Sequence, residues 1–208
     1  MSGEKRALSE NEKTGEVRAL PAPQRTGKVS LEEALARRRS VREFKKQPPT
    51  DQELSQLLWA AQGITRPDGC RAAPSAGALY PLELYVAMQE GLFHYQSHSH
   101  RLIRRSERDL RAELAGAALD QAAVSEAPVV FVIAAVYERT ARKYGPARTP
   151  RYVHLEAGHA AQNLLLEAVA LGLGGVPVGA FHDERVQAVL GLPADHKPLY
   201  LIPVGHPR

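Results

Sequence analysis

From Ala36 to Phe44 the chain reads Ala-Arg-Arg-Arg-Ser-Val-Arg-Glu-Phe, setting four guanidiniums and one hydroxyl within six positions. Guanidinium forks match phosphate oxygens in pairs, and each charge-assisted bond contributes roughly 1.5 to 3 kcal/mol. The cluster is therefore suited to an oxyanion, although an arginine-rich helix end that faces solvent and complements the helix dipole needs no ligand. A second group with chemistry in it is Lys143-Tyr144, the only adjacent Lys-Tyr pair in the chain. A lysine desolvated beside an aromatic ring has a lowered pKa and takes up a proton, with the phenol as donor. The competing reading is a solvated turn in a charged loop, because Gly145 and Pro146 follow at once. Lys197 and Tyr200 form a weaker pair of the same kind.

The elements that must position these groups can be read from periodicity and capping. Ser30-Leu31-Glu32-Glu33 is a capping box that opens a helix at Leu31, running to about Arg39 and leaving Ser40 and Arg42 on its exit. Thr50-Asp51-Gln52-Glu53 opens a second helix that stops at Gly63, and residues 64–77 are loop. Leu82 to Met88 alternates as a strand, and Gly91–Tyr95 with His100–Ile103 forms a hairpin. Short helices follow near 108–114 and 117–124. Pro128 to Val136 is apolar on both faces, as a central strand covered on each side would be. Tyr152 to Leu171 reads as a buried helix, and Pro198 to Val204 as the last strand. Strands and helices interleave through hairpins and crossovers, so the class is α+β with a layered sheet.

On the apolar helix, Glu156, His159, Asn163 and Glu167 follow at spacings of 3, 4 and 4, which puts them on one stripe. A buried polar stripe needs partners, either across a subunit interface or on a cofactor. His154 and His159 are five apart and diverge around the helix, so the i, i+4 histidine pair of zinc hydrolases is absent. His94, His98 and His100 straddle the hairpin turn. No metal site is expected.

Three segments follow the arginine cluster in order: Ala-Pro-Ser-Ala-Gly-Ala-Leu-Tyr-Pro (73–81); Lys143-Tyr144-Gly145 with Arg151-Tyr152 and Glu156-Ala157-Gly158-His159; and Gly-Gly-Val-Pro-Val-Gly-Ala-Phe (174–181). Together they resemble the nitroreductase superfamily of FMN-dependent oxidoreductases, and within it the SagB-type branch that includes azoline dehydrogenases of thiazole and oxazole peptide biosynthesis. The resemblance covers about residues 31 to 205. It implies a mainly antiparallel central sheet flanked by helices, with FMN at a homodimer interface.

By that resemblance Arg38, Ser40 and Arg42, with Arg39 beside them, hold the FMN phosphate and ribityl chain. Pro74, Ser75, Ala76 and Gly77 reach the flavin across the dimer. Pro177, Val178, Gly179 and Ala180 run beside the isoalloxazine ring, and Gly205 and Arg208 belong to the C-terminal phosphate-binding stretch. Lys143 and Tyr144 match the pair understood to remove a proton near the flavin. The Asn common in the 74–77 loop of nitroreductases is missing, which favours the SagB-type branch. The implied activity is two-electron oxidation of a small or peptidic, azoline-like substrate. An NAD(P)H-dependent nitro or quinone reductase and a non-catalytic flavin-binding subunit of a modification complex are the alternatives.

Composition narrows the rest. The chain has 208 residues, 44% of them hydrophobic, enough for one well-packed domain. Its net charge is +4, but the acidic residues are spread throughout and no nucleic-acid-binding signature occurs, so no nucleic-acid partner is expected. Cys70 is the only cysteine, which excludes an intrachain disulfide and a CxxC motif. No window reaches a membrane span and the N-terminus lacks an apolar signal core, so a cytoplasmic protein is expected. Residues 1–29 read as a flexible N-terminal arm, and residues 30–208 as the single FMN-binding domain.

Overall fold

The computed structural model describes residues 15–208. Its elements are β1 (Val17–Ala19), α1 (Leu31–Arg37), α2 (Asp51–Gln62), β2 (Leu82–Met88), β3 (Gly91–Gln96), β4 (Arg101–Ser106), α3 (Arg111–Ala117), α4 (Ala122–Glu126), β5 (Val129–Val136), α5 (Tyr137–Tyr144), α6 (Thr149–Ala170), β6 (Gly174–Gly175), α7 (Asp183–Val189) and β7 (His196–Gly205). The strands form one sheet in the order β1-β4-β3-β2-β5-β7-β6, every neighbour pair antiparallel. This is the α+β layered architecture expected.

β5 lies inside the sheet, and all eight of its residues are buried. Successive side chains in a strand point to opposite faces. Phe131 and Ile133 accordingly join Leu57 of α2 and Leu164 of α6 in one core. Val130 and Val132 join Leu114 of α3 and Val186 of α7 in the other. Helices thus cover both faces.

Local signals set the element ends. Thr50 and Glu53 form the reciprocal capping box. At Ser30 only half of one forms: the hydroxyl accepts from Glu33 N–H at 3.1 Å, while the Glu33 carboxylate turns to Arg37 at 2.7 Å. α1 ends at Arg37, two residues earlier than expected, because Arg38 is already extended (φ −60°, ψ 122°). Arg38 and Arg39 therefore lie on the exit with Ser40 and Arg42.

Three further readings are revised. Over residues 15–29 the expected flexible arm is docked: Val17–Ala19 pair with Arg101–Ile103 as an edge strand, and the Pro21 carbonyl accepts from Ser55 Oγ at 2.6 Å. The remainder of that arm, residues 1–14, lies outside the described residues. α6 buries only the side that meets the sheet and its neighbouring helices; Leu155 on its outer side is 54% exposed. Finally, Lys143 and Tyr144 close a helix, α5, rather than lying in a loop, and Gly145 (φ 73°) ends it.

Candidate active site

The structure gathers the expected site residues into two groups. In the first, the stretch leaving α1 threads between β6 and the C-terminal residues. Val41 N–H donates to Gly175 O at 3.0 Å, Lys45 N–H to His206 O at 2.8 Å, and Arg208 N–H to Glu43 O at 3.3 Å. Arg208 Nε donates to Phe44 O at 2.9 Å. Alternation then sorts the side chains: Val41 packs on the core and against Gly174, whereas Ser40 and Arg42 are exposed. Arg38 is half-buried and Arg39 exposed, and among the described residues none of Arg38, Arg39 and Arg42 forms an ion pair. Three uncommitted guanidiniums beside a free hydroxyl fit a phosphate-bearing ligand.

Pro177–Ala180 continue from β6 along β7, Val178 pairing with Leu201. Its glycines have separate reasons. A Cβ on Gly174 would lie 2.6 Å from Val41, and one on Gly175 2.9 Å from the Pro203 carbonyl, so packing requires both. Packing likewise requires Gly205, where a Cβ would lie 2.7 Å from Pro128. Gly179 differs. It is exposed, a Cβ there would approach only Tyr200 at 3.8 Å, and the protomer supplies no reason for glycine. An exposed position kept free of a side chain, on the stretch that follows the Gly175 pairing with Ser40, leaves room for a ligand there.

The second group is centred on Gly77. A Cβ at this position would lie 2.9 Å from both Lys143 Nζ and Tyr144 Oη, so the loop and the Lys-Tyr pair converge on one point. Tyr144 in turn packs on Tyr152 of α6, with ring centroids 4.7 Å apart. The loop is strained: Gly77, Ala78 and Tyr80 all have positive φ (64°, 53° and 48°). For non-glycine residues such backbone costs on the order of 1 kcal/mol or more each, and it persists only where the surroundings hold it. Here Ser75 Oγ accepts from Tyr80 N–H at 2.9 Å, Tyr80 Oη accepts from Arg71 N–H at 3.1 Å, and Arg139 Nη1 donates to Tyr80 O at 3.0 Å.

Beneath the loop lies a buried polar layer. Arg139 pairs with Glu83 of β2, whose other oxygen meets His94 Nε2 at 2.7 Å. Burial alone would raise the Glu83 carboxyl, but the His94 hydrogen bond and the Arg139 charge outweigh it and hold the group at about 2. Arg139 stands one turn before Lys143 on α5, so this ion pair anchors the helix that carries the pair. Sequence reasoning missed Arg139 because α5 itself was not foreseen; Arg71, which stacks on Tyr80 at 4.7 Å, carried no signal in its loop.

The polar stripe on α6 does not act as one network. Glu156 is buried below Ser75, His159 is exposed, and Asn163 and Glu167 line a groove with Gln24, Leu31, Trp59 and Leu166. Of the hairpin histidines, His94 is buried on Glu83, His98 is exposed, and His100 packs on Ser55 and Tyr95. Among the described residues no histidine, cysteine or carboxylate cluster has metal-binding geometry, and no helix is long and apolar enough to cross a membrane. No hydrogen bond or ion pair among the described residues joins the two groups of site residues.

Comparison with known proteins gives the family. The profile of the Nitroreductase family matches residues 35–206. A nitroreductase-family protein of Methanocaldococcus jannaschii is 47% identical over 183 residues, covering 85% of this chain and 91% of that protein. The crystal structure of a nitroreductase-family protein of Ralstonia eutropha superposes with a TM-score of 0.84 at 31% identity, over 97% of this chain and 93% of the other. The NADPH:FMN oxidoreductase of Vibrio harveyi, solved with NAD+, gives a TM-score of 0.65 at 26% identity, over 85% and 68% of the two chains.

Proposed function

Because the chain belongs to the nitroreductase family of oxidoreductases, we propose that it is an FMN-dependent dehydrogenase of the SagB type, working as a homodimer on a small or peptidic, azoline-like substrate. The observation that carries this reading is the convergence of Lys143 Nζ and Tyr144 Oη on Gly77, each 2.9 Å from the position its Cβ would take. In it, Arg38, Arg39, Ser40, Arg42 and Arg208 hold the phosphate end of FMN. Pro177–Ala180 flank the ring, with Gly179 leaving room for it, and Pro74–Gly77 close the site from the partner subunit. FMN, when bound, supplies the two-electron redox centre.

Lys143 takes the proton released as a substrate C–H or N–H bond is broken, and Tyr144 orients the substrate through its hydroxyl. Lys143 is exposed within the protomer. The desolvation that would make its amine a base therefore comes from the partner subunit and the bound substrate. In this reading the homodimer brings the loop of one subunit to the guanidinium cluster of the other.

A second reading, an NAD(P)H-dependent nitro or quinone reductase, is supported by the similarity to the Vibrio harveyi oxidoreductase solved with NAD+. The test is the visible spectrum of the purified protein during anaerobic NADPH addition. Flavin absorbance that persists with NADPH and bleaches with an azoline substrate supports the dehydrogenase; bleaching by NADPH supports the reductase. A protein that cannot be loaded with FMN overturns both. Replacing Arg38 and Arg42 together by Ala is expected to leave a folded, colourless protein, since both side chains are exposed or half-exposed and unpaired; full flavin retention removes them from the phosphate site.

A further inference from the structure

Glu156 has no part in the chemistry above, yet it lies directly under it. It sits one turn after Tyr152 on α6, is 2% exposed, and its Oε1 has no hydrogen-bond partner. The groups facing it come from each surrounding element: Gln62 from α2, Arg71 and Ser75 from the loop, and Arg139 from α5. On α6 itself, His159 on the next turn is exposed.

A purely structural buried carboxylate would close on one of the two arginines. Both are committed elsewhere: Arg71 Nη1 donates to Gln62 Oε1 at 2.8 Å, and Arg139 binds Glu83 and the Tyr80 carbonyl. Burial pushes the Glu156 carboxyl up to about 7, against the opposing pull of Ser75, Arg71, Arg139 and Gln62. A buried acid with no ion pair and one oxygen without a partner, beside a strained turn, points to a functional position.

We propose that Glu156 is a positioning residue for Lys143: through Ser75 and Arg139 its charge state sets the Ser75–Ala78 turn against which the lysine amine rests. Neutral, it leaves Arg139 on Glu83 and Tyr80 and the turn in the geometry described. Ionised, it competes for Arg139 and for the Ser75 hydroxyl proton, and the seat of Lys143 changes. This rests on the reading of Lys143 and Tyr144 as the substrate-side pair.

The test needs neither flavin nor turnover, so its failure is distinct from failure of the proposed function. The full-length protein is labelled with acetic anhydride across a pH series, and acetylation of Lys143 is followed by mass spectrometry. Wild type is expected to depart from a single titration curve near pH 7, and Glu156→Gln, which keeps shape without charge, to follow a single curve. If Glu156→Gln does not fold, Ser75→Ala reads the same link and is expected to remove the departure. A single curve in wild type, or the same departure in a folded variant, overturns the proposal.

Discussion

Lys143 is the residue on which the proposed chemistry turns. Its Nζ lies against Gly77, whose φ of 64° and lack of a side chain make room for it. Proton removal by such a group contributes on the order of a hundredfold or more to rate. Lys143→Ala is expected to retain bound FMN and lose at least that much substrate oxidation in a steady-state assay; unchanged turnover would remove the lysine from the mechanism. The guanidiniums of Arg38 and Arg42 are legible in the sequence because type and spacing alone announce an anion site. Glu156 was legible only as one member of a polar stripe. Its burial beneath Ser75 depends on where α6 crosses the loop, which no local pattern encodes.

At the scale of elements, α5 and β2 are tied by Arg139 and Glu83, and the tie has a pH signature. The folded carboxyl of Glu83 stands at about 2, below its ordinary value, so its contribution to stability is fully present above about pH 4.5 and is lost as pH falls toward 2. The loss is expected to reach roughly 3 kcal/mol. Glu156, raised to about 7, acts with the opposite sign: the folded state binds the proton more tightly, so stability falls as pH rises from about 4.5 to 7. The two windows do not overlap. Urea unfolding across pH should show the acid loss disappear in Glu83→Gln and the neutral-range fall disappear in Glu156→Gln; slopes unaltered in these variants would contradict both assignments. α5 escaped sequence reasoning because Gly145 and Pro146 mark only its end, and its start at Val136 carries no side-chain cap.

For the whole molecule, the two groups of site residues sit in one chain without a hydrogen bond or ion pair between them, and large apolar side chains are exposed on α1 and α6: Leu31 (62%), Leu35 (53%) and Leu155 (54%). In the proposed homodimer a second copy covers such surface. Sedimentation is expected to give twice the 22.7 kDa chain mass, and a monomer that binds FMN tightly would contradict the shared site.

The sequence by itself determined the α+β class, the central apolar strand, the main helices with one full capping box, and the order of the motifs, because periodicity, capping and residue type are local properties. Tertiary structure alone decided that residues 17–19 complete the sheet edge, that Gly174, Gly175 and Gly205 are required by packing while Gly179 is not, and that Lys143 and Glu156 flank the 75–78 turn from two helices. Those facts depend on contacts between residues tens of positions apart, where shape and burial, rather than spacing along the chain, set which side chains meet.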